Sequence, residues 1–255
     1  MVFYFSGTGN SLYAAKSLDT ELFSIPQVMK SNELFFTADK IGIVCPIYGH
    51  EMPAMVKQFI RKAVFQTNYL YVVLTYGSRH ANAVELAESV FTDAEKTADY
   101  ITTVMMVDNF LPVFDMNEEV MLDKKVEQQI SKIKADILAK KHAQQEVTSE
   151  DRSIHETYLT AVSGAPETVW ANFSVSDNCI GCGICTKVCP AGCIQLQQQL
   201  AVYTGENCQA CYSCIHACPQ LAIKLNIPEK NPQARYRNEN VSLKEIVRAN
   251  NQTDI

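Results

Sequence analysis

Long hydrophobic runs are missing from this sequence: the longest, Tyr69 to Tyr76, has the length of a β-strand and falls far short of the roughly 20 residues a membrane helix needs. An excess of basic residues is missing too. With 22 Lys and Arg against 28 Asp and Glu, the formal net charge of -6 provides no face that displaces counterions from phosphates, so a nucleic-acid partner is not expected. The patterns GxxxxGK[ST], HExxH and GxSxG are all absent, which leaves nucleotide hydrolysis, zinc-peptidase and serine-hydrolase chemistry without support. Met1 leads directly into a strand rather than into a signal peptide, and a cytoplasmic protein is expected. Low hydrophobicity is not among the deficits. With 47% apolar residues in 255, the chain is long and apolar enough for two unequal domains.

What is abundant is cysteine. There are ten, and a reducing compartment would keep them as thiols available to metals. Cys45 stands alone, while the rest crowd between Cys179 and Cys218. Cys179, Cys182, Cys185 and Cys189-Pro190 match CxxCxxCxxxCP, and Cys208, Cys211, Cys214 and Cys218-Pro219 match it again in the same register. Ile194 and Leu196 align with Ile223 and Leu225, which marks an internal duplication. Three thiols at intervals of three residues wrap one cuboidal [4Fe-4S] cluster while the fourth points away. Cys179, Cys182, Cys185 and Cys218 are therefore expected to hold one cluster, and Cys208, Cys211, Cys214 and Cys189 the other. A pair of zinc sites is the competing reading, but zinc leaves the third cysteine and the Cys-Pro of each copy without a role. Cys193 aligns with Ala222 and is expected to be a small buried thiol rather than a ligand.

The stretch from Trp170 to Ile227 closely resembles bacterial-type two-cluster ferredoxins. That resemblance implies two short hairpins and two helices around the clusters. Tyr203 and Tyr212 are then candidates to shield a cluster, with space-filling an equally good account.

From Met1 to about Lys141 strands alternate with helices, the mark of a parallel sheet covered on both faces. Val2–Phe5, Ile41–Ile47, Tyr69–Thr75 and Ile101–Val107 are strand-length β-branched or aromatic runs. Helical stripes recur at Val56, Phe59, Ile60 and Ala63, at Ala83, Leu86, Ala87 and Val90, and at Val126, Ile130, Ile133 and Ile137. After the first strand comes Ser6-Gly7-Thr8-Gly9-Asn10-Ser11, a turn whose N–H groups and hydroxyls suit a phosphate at a helix start. No lysine is present there for a nucleoside triphosphate. Two further loops, Pro46-Ile47-Tyr48-Gly49 and Thr75-Tyr76-Gly77, follow strands at the sheet edge where such folds bind ligands. Each pairs an aromatic ring with a glycine.

These loops resemble those of flavodoxins, where hydroxyl donors hold the phosphate of FMN. Tyr48 or Tyr76 is then a candidate to stack on the isoalloxazine, with a loop anchor as the alternative role of either, and the glycines allow backbone amides to approach its N5 and O4 edge. The whole chain resembles a family of flavodoxin/ferredoxin fusions of anaerobic bacteria. Met106-Val107-Asp108-Asn109-Phe110 departs from that family's Met-Pro-Asp-Asn-Tyr, leaving Asp108 and Asn109 as flavin-site candidates or turn residues.

The expected architecture is an α/β flavodoxin-like doubly wound parallel sheet, order 2-1-3-4-5, over residues 1–145, with a smaller α+β ferredoxin domain over 170–228. A connector over 146–169 and a polar tail over 229–255, with a short helix at Leu243–Val247, complete the plan. The five histidines match no zinc motif and are expected mostly at the surface, with His50 and His80 as weak proton-donor candidates. The expected function is electron transfer between FMN, two [4Fe-4S] clusters and a redox protein with a basic docking face. The alternative is an iron–sulfur flavoenzyme that reduces a small organic substrate.

Overall fold

The computed structural model describes residues 1–165, 169–205 and 207–253. Part of the expected connector (166–168), Glu206 of the expected ferredoxin domain and the last two residues of the expected tail lie outside the described residues. The chain runs through β1 (Val2–Tyr4), α1 (Asn10–Leu18), β2 (Leu22–Ser24), α2 (Ile25–Val28), β3 (Phe35–Ala38), β4 (Ile41–Pro46), α3 (Ala54–Lys62), β5 (Val64–Thr67), β6 (Leu70–Tyr76), α4 (Ala83–Asp93) and β7 (Tyr100–Met105). It continues through α5 (Met116–Glu119), α6 (Val126–Leu138), β8 (Ala143–Gln144), α7 (Ser149–Val162), β9 (Phe173–Val175), α8 (Ile184–Val188), β10 (Ile194–Gln197), β11 (Leu200–Tyr203), α9 (Ser213–Ala217), β12 (Ile223–Leu225) and α10 (Leu243–Asn250).

Two compact units result. The first comprises Met1–Phe5, Ser11–Met106 and Asp123–Gly164. Its sheet has the order β2-β1-β4-β6-β7-β8, parallel throughout. Five of those strands reproduce the expected 2-1-3-4-5 order, and the two-residue β8 extends the edge. Strand β4 is buried at every position and β6 at all but its last, because α3, α4 and α6 turn their apolar stripes onto a parallel sheet covered on both faces. Strands β3 and β5, too short to be evident in the sequence, pair only with each other. Their Phe36 and Phe65 pack with Phe3 and Phe59, and the Phe3 and Phe36 ring centroids lie 4.5 Å apart.

The stretch expected to be a connector contains the fourteen-residue α7. Thr148 and Asp151 form a reciprocal capping box at its start, and His155 is its only fully buried side chain. A helix that is polar nearly all round has no apolar stripe for sequence reading to find.

In β4 the ring of Tyr71, across the ladder on β6, lies over Gly42. A Cβ at position 42 would stand 2.3 Å from Tyr71 Cζ. Gly42→Ala is therefore expected to destabilise this unit by about 3 kcal/mol through overpacking. Urea unfolding checks this, and a Gly42→Ala/Tyr71→Val pair should cost less than the sum of its two single changes.

The second unit comprises Ser6–Asn10, Val107–Leu122 and Ala165–Ile255. It thus draws in two segments that lie, in sequence, inside the expected N-terminal domain. Helices α8 and α9 lie within the two cysteine motifs and carry Cys185 and Cys214, and β10 and β11 form an antiparallel hairpin whose turn residues Gln198 and Gln199 both have positive φ. The other antiparallel pair is not a hairpin. Strands β9 and β12 come from opposite ends of the cysteine-rich region and close it on itself.

The duplication extends to the backbone. Gly181, Gly183 and Gly192 have φ of 66°, 71° and 68°, and their counterparts Ala210, Tyr212 and Leu221 have 49°, 55° and 51°. The expected tail is also structured. Helix α10 starts with a Ser242–Glu245 capping box and buries Ile246, Ala249 and Asn250.

Candidate functional site

In the second unit the eight motif cysteines line two cavities. One is lined by Cys179, Cys182, Cys185 and Cys218. The other is lined by Cys189, Cys208, Cys211 and Cys214, with Cys193 added. Each cavity thus takes three thiols from one motif copy and the fourth from the other. The cause is local: α8 and α9 are five residues long and end at Cys189 and Cys218, whose extended ψ of 113° and 114° turns the chain toward the following proline.

The electrostatics follow the same partition, except that Cys214 of the second cavity also feels Cys185 of the first. Burial raises the Cys185 thiol to about 11, and Cys218, Cys182 and Cys179 add to the rise. Burial raises Cys211 well above its ordinary value, with Cys189 and Cys208 contributing, and Cys214 rises for the same reasons. The Cys193 thiol lies against Cys189 and Cys208 and holds both below the ordinary thiol value. Four sulfurs facing one buried space resist ionising together unless positive charge sits among them, so this donor set fits an iron–sulfur cluster. Backbone N–H groups already point at three of the sulfurs, from Cys193 to Cys189 (3.2 Å), from Ala222 to Cys218 (3.3 Å) and from Ala201 to Cys179 (3.5 Å). The first two bonds are equivalent under the duplication.

Tyr203 and Tyr212 both line the second cavity, together with Phe173. Tyr212 stacks on Phe110, and Phe173 meets Tyr203 edge-on at 4.8 Å, so shielding and space-filling coincide.

The Ser6–Asn10 loop also belongs to the second unit. Ser6 and Thr8 are 2% and 4% exposed, and each uses its hydroxyl oxygen as an acceptor. Ser6 Oγ accepts the Gly9 N–H at 3.1 Å, and Thr8 Oγ1 accepts from Asn109 Nδ2 at 2.8 Å. Both hydroxyls therefore keep their own hydrogens to donate. Among the described residues, the N–H groups of Gly7, Thr8 and Asn10 reach no protein acceptor. Buried donors without acceptors fit an anion such as a phosphate. Asp108 forms the turn weighed as its alternative role, accepting from the Phe110 N–H at 3.0 Å.

In the first unit Ser11 Oγ and Thr75 Oγ1 share a hydrogen bond of 2.8 Å. Pro46 ends β4, and the Ile47 N–H continues the ladder to Thr75 O. Tyr48 and Glu51 close a two-residue turn with Gly49 and His50 both left-handed, a geometry that favours glycine and permits close backbone approach. Tyr76 meets His80 edge-on at 5.2 Å, and Gly77 O accepts from Lys124.

Two of the five histidines are exceptions to the expected surface placement. His155 and His216 are buried rather than at the surface, because each is hydrogen-bonded inside its unit. His155 Nδ1 lies 3.3 Å from His50 Nδ1 in the first unit. Burial lowers His50 to about 4, and His155, Arg79 and His80 lower it further. Between that value and the usual 6.5, unfolded chains bind a proton that the folded form refuses, so stability is lost as pH falls from about 6.5 toward about 4. Unfolding midpoints measured across this window should flatten in His50→Gln.

A family model described as a flavodoxin domain matches residues 1–136, and one described as a 4Fe-4S dicluster domain matches residues 178–222. The solved structure "The Structure of Trp Repressor Binding Protein from Bacillus subtilis" is similar over 52% of this chain and 96% of its own, at 12% identity and a TM-score of 0.33. None of the curated proteins matches the chain. Among the described residues no helix is long and apolar enough to cross a membrane. The flavodoxin match spans more than half of the chain and the dicluster match contains all eight motif cysteines, so the chain belongs to the flavodoxin family as a flavodoxin/ferredoxin fusion, with flavin and iron–sulfur binding and a redox electron-transfer role.

Proposed function

We propose that this protein relays electrons between one FMN and two [4Fe-4S] clusters and exchanges them with a redox protein. The observation that carries the reading is the crossed lining of the two cavities, three thiols from one copy and one from the other. Cys179, Cys182, Cys185 and Cys218 are assigned to one cluster, and Cys189, Cys208, Cys211 and Cys214 to the other. Ser6, Gly7, Thr8, Gly9, Asn10 and Ser11 are assigned to the FMN phosphate, with Asn109 supporting Thr8. The segments Pro46–Gly49 and Thr75–Gly77 are assigned to the flavin ring.

FMN supplies one- or two-electron exchange, and each cluster carries one electron at a time. Fusing the two domains replaces a diffusive encounter with a high effective concentration. Ten cysteines, eight of them spaced as metal ligands, suit a cytoplasmic, reducing compartment. A net charge of -6 favours a partner with a basic docking face, whose association should weaken as salt is added.

Anaerobic purification followed by cofactor quantification is the test, with about eight iron, eight sulfide and one FMN expected per chain. Zinc without acid-labile sulfur, persisting after reconstitution, overturns the reading. Reoxidation by protein carriers, without turnover of quinone-like or nitro compounds, separates the relay from a substrate-reducing flavoenzyme.

A further inference from the structure

The C-terminal segment Tyr236–Asn250 makes bonds to the phosphate loop that no motif foreshadows, all within the second unit. Tyr236 Oη donates to Asn10 Oδ1 at 2.6 Å, and Asn238 Nδ2 donates to the same atom at 3.2 Å. The Asn10 amide is held from its other side as well, since its Nδ2 donates to Val107 O at 2.9 Å. The Asn238 N–H donates to Thr8 O at 2.9 Å, and Asn250 Nδ2 donates to Ser6 O at 2.9 Å. The packing is close, since a Cβ on Gly9 would stand 3.0 Å from Asn238 Cβ and 3.1 Å from Val241 Cβ.

A second path reaches the loop through His216. Its Nδ1 accepts the Tyr236 N–H at 3.0 Å, which fixes the proton on Nε2, and Nε2 donates to Asn109 O at 3.1 Å. Asn109 in turn donates to Thr8 Oγ1. In the other motif copy the position of His216 is occupied by Lys187, which is exposed. A buried histidine is therefore not a requirement of the cysteine-rich fold. Asn250 is fully buried with Oδ1 unpartnered, a cost set against its two donated bonds, to Ser6 O and to Val188 O.

These bonds share one property. From the loop Ser6–Asn10 they take only oxygen acceptors, namely the carbonyls of Ser6 and Thr8, Thr8 Oγ1 and Asn10 Oδ1. Apart from the Gly9 N–H, which Ser6 Oγ accepts, the loop's N–H and hydroxyl donors are left for an anion.

The geometry points to Tyr236, Asn238 and Asn250, with His216 behind Asn109, as positioning residues of the FMN phosphate site, a clasp that holds the loop in its anion-receiving form. This inference rests on the flavin reading above and extends it to a segment outside the flavodoxin match. The same clasp ties the loop to the backbone of the second thiol cavity, because Val188 precedes Cys189 and His216 lies between Cys214 and Cys218.

The test compares FMN with riboflavin, which lacks the phosphate, in the full-length iron-loaded protein. Tyr236→Phe removes one oxygen atom and Asn250→Ala removes two donated bonds. Each is expected to weaken FMN by about five-fold or more, the size of one lost hydrogen bond, while riboflavin affinity and iron content stay at the wild-type level. Unchanged FMN affinity in both variants overturns the clasp, and so does an equal loss for riboflavin, which would mark a merely structural role. Wild-type protein that takes up no FMN, or binds FMN no better than riboflavin, overturns the phosphate assignment itself.

Discussion

Cys189→Ala is expected to empty the cavity lined by Cys208, Cys211 and Cys214 and to leave intact the cluster held by the rest of its own motif. Iron should fall from about eight to about four per chain. The spectrum that remains should match that of Cys208→Ala, a variant altered in the other motif copy. The reciprocal pair, Cys218→Ala and Cys179→Ala, should lose the other cluster and again resemble each other. The reason lies in the cavity linings and in which thiols perturb one another: Cys185 feels Cys218, while Cys211 and Cys214 feel Cys189. Removing one of four thiolates leaves a cluster with an open iron corner in a recess built for four ligands. Cys193→Ala serves as the control. It lines the second cavity, yet its counterpart at the first cavity is Ala222, so both clusters should survive its loss. Electron paramagnetic resonance of reduced protein decides the matter, and a Cys189→Ala spectrum unlike that of Cys208→Ala would sink the crossed assignment.

Gly181→Ala is expected to abolish the first cluster although it adds a single methyl group. Gly181 has a φ of 66°, and a Cβ there would lie 2.1 Å from the carbonyl oxygen of Gln199, in the turn between β10 and β11. Backbone strain alone does not explain a large effect. Ala210 occupies the same place in the second copy with a φ of 49°, so a left-handed alanine, at about 1 kcal/mol, is tolerated by this fold. The collision is different in kind, because a backbone carbonyl in a two-residue turn has no rotamer through which to withdraw. The hairpin must lift away from the Ile180–Gly183 loop. With it moves the wall formed by Leu196 and Ala201. Iron of about four per chain and a lowered melting temperature are expected for Gly181→Ala, whereas Ala210→Gly should retain both clusters at equal or higher stability. Full iron and an unaltered melting temperature in Gly181→Ala would show that hairpin and loop are not packed as described.

Much of the thiol chemistry was legible because it is encoded by spacing. Intervals of three residues, a trailing Cys-Pro and a second copy in register specify which sulfurs converge without reference to the rest of the chain, and the cavities follow that grouping. The sheet was legible for a related reason, since β4 and β6 are buried on both faces and so carry continuous apolar runs. Helix α7 was not, although Thr148 and Asp151 stand at capping-box spacing, because that signal is short and no apolar stripe follows it. The expectation that most histidines lie at the surface gave no sign that His155 and His216 are buried. A histidine's burial depends on partners such as His50 and Asn109, which are 105 and 107 residues away in sequence.

By itself the sequence determined the strand and helix alternation, the duplicated cysteine pattern, the grouping of the eight motif cysteines and the glycine-rich turn after the first strand. Each depends on neighbours only a few residues apart, where backbone geometry leaves few choices. Only the tertiary structure decided that Ser6–Asn10 and Val107–Leu122 belong to the same compact unit as the cysteines, and that the polar C-terminal segment closes on that loop through Tyr236, Asn238 and Asn250. Those contacts join residues more than two hundred positions apart through single hydrogen bonds. Such bonds leave no periodicity and no motif, because their partners are selected by packing in three dimensions rather than by spacing along the chain.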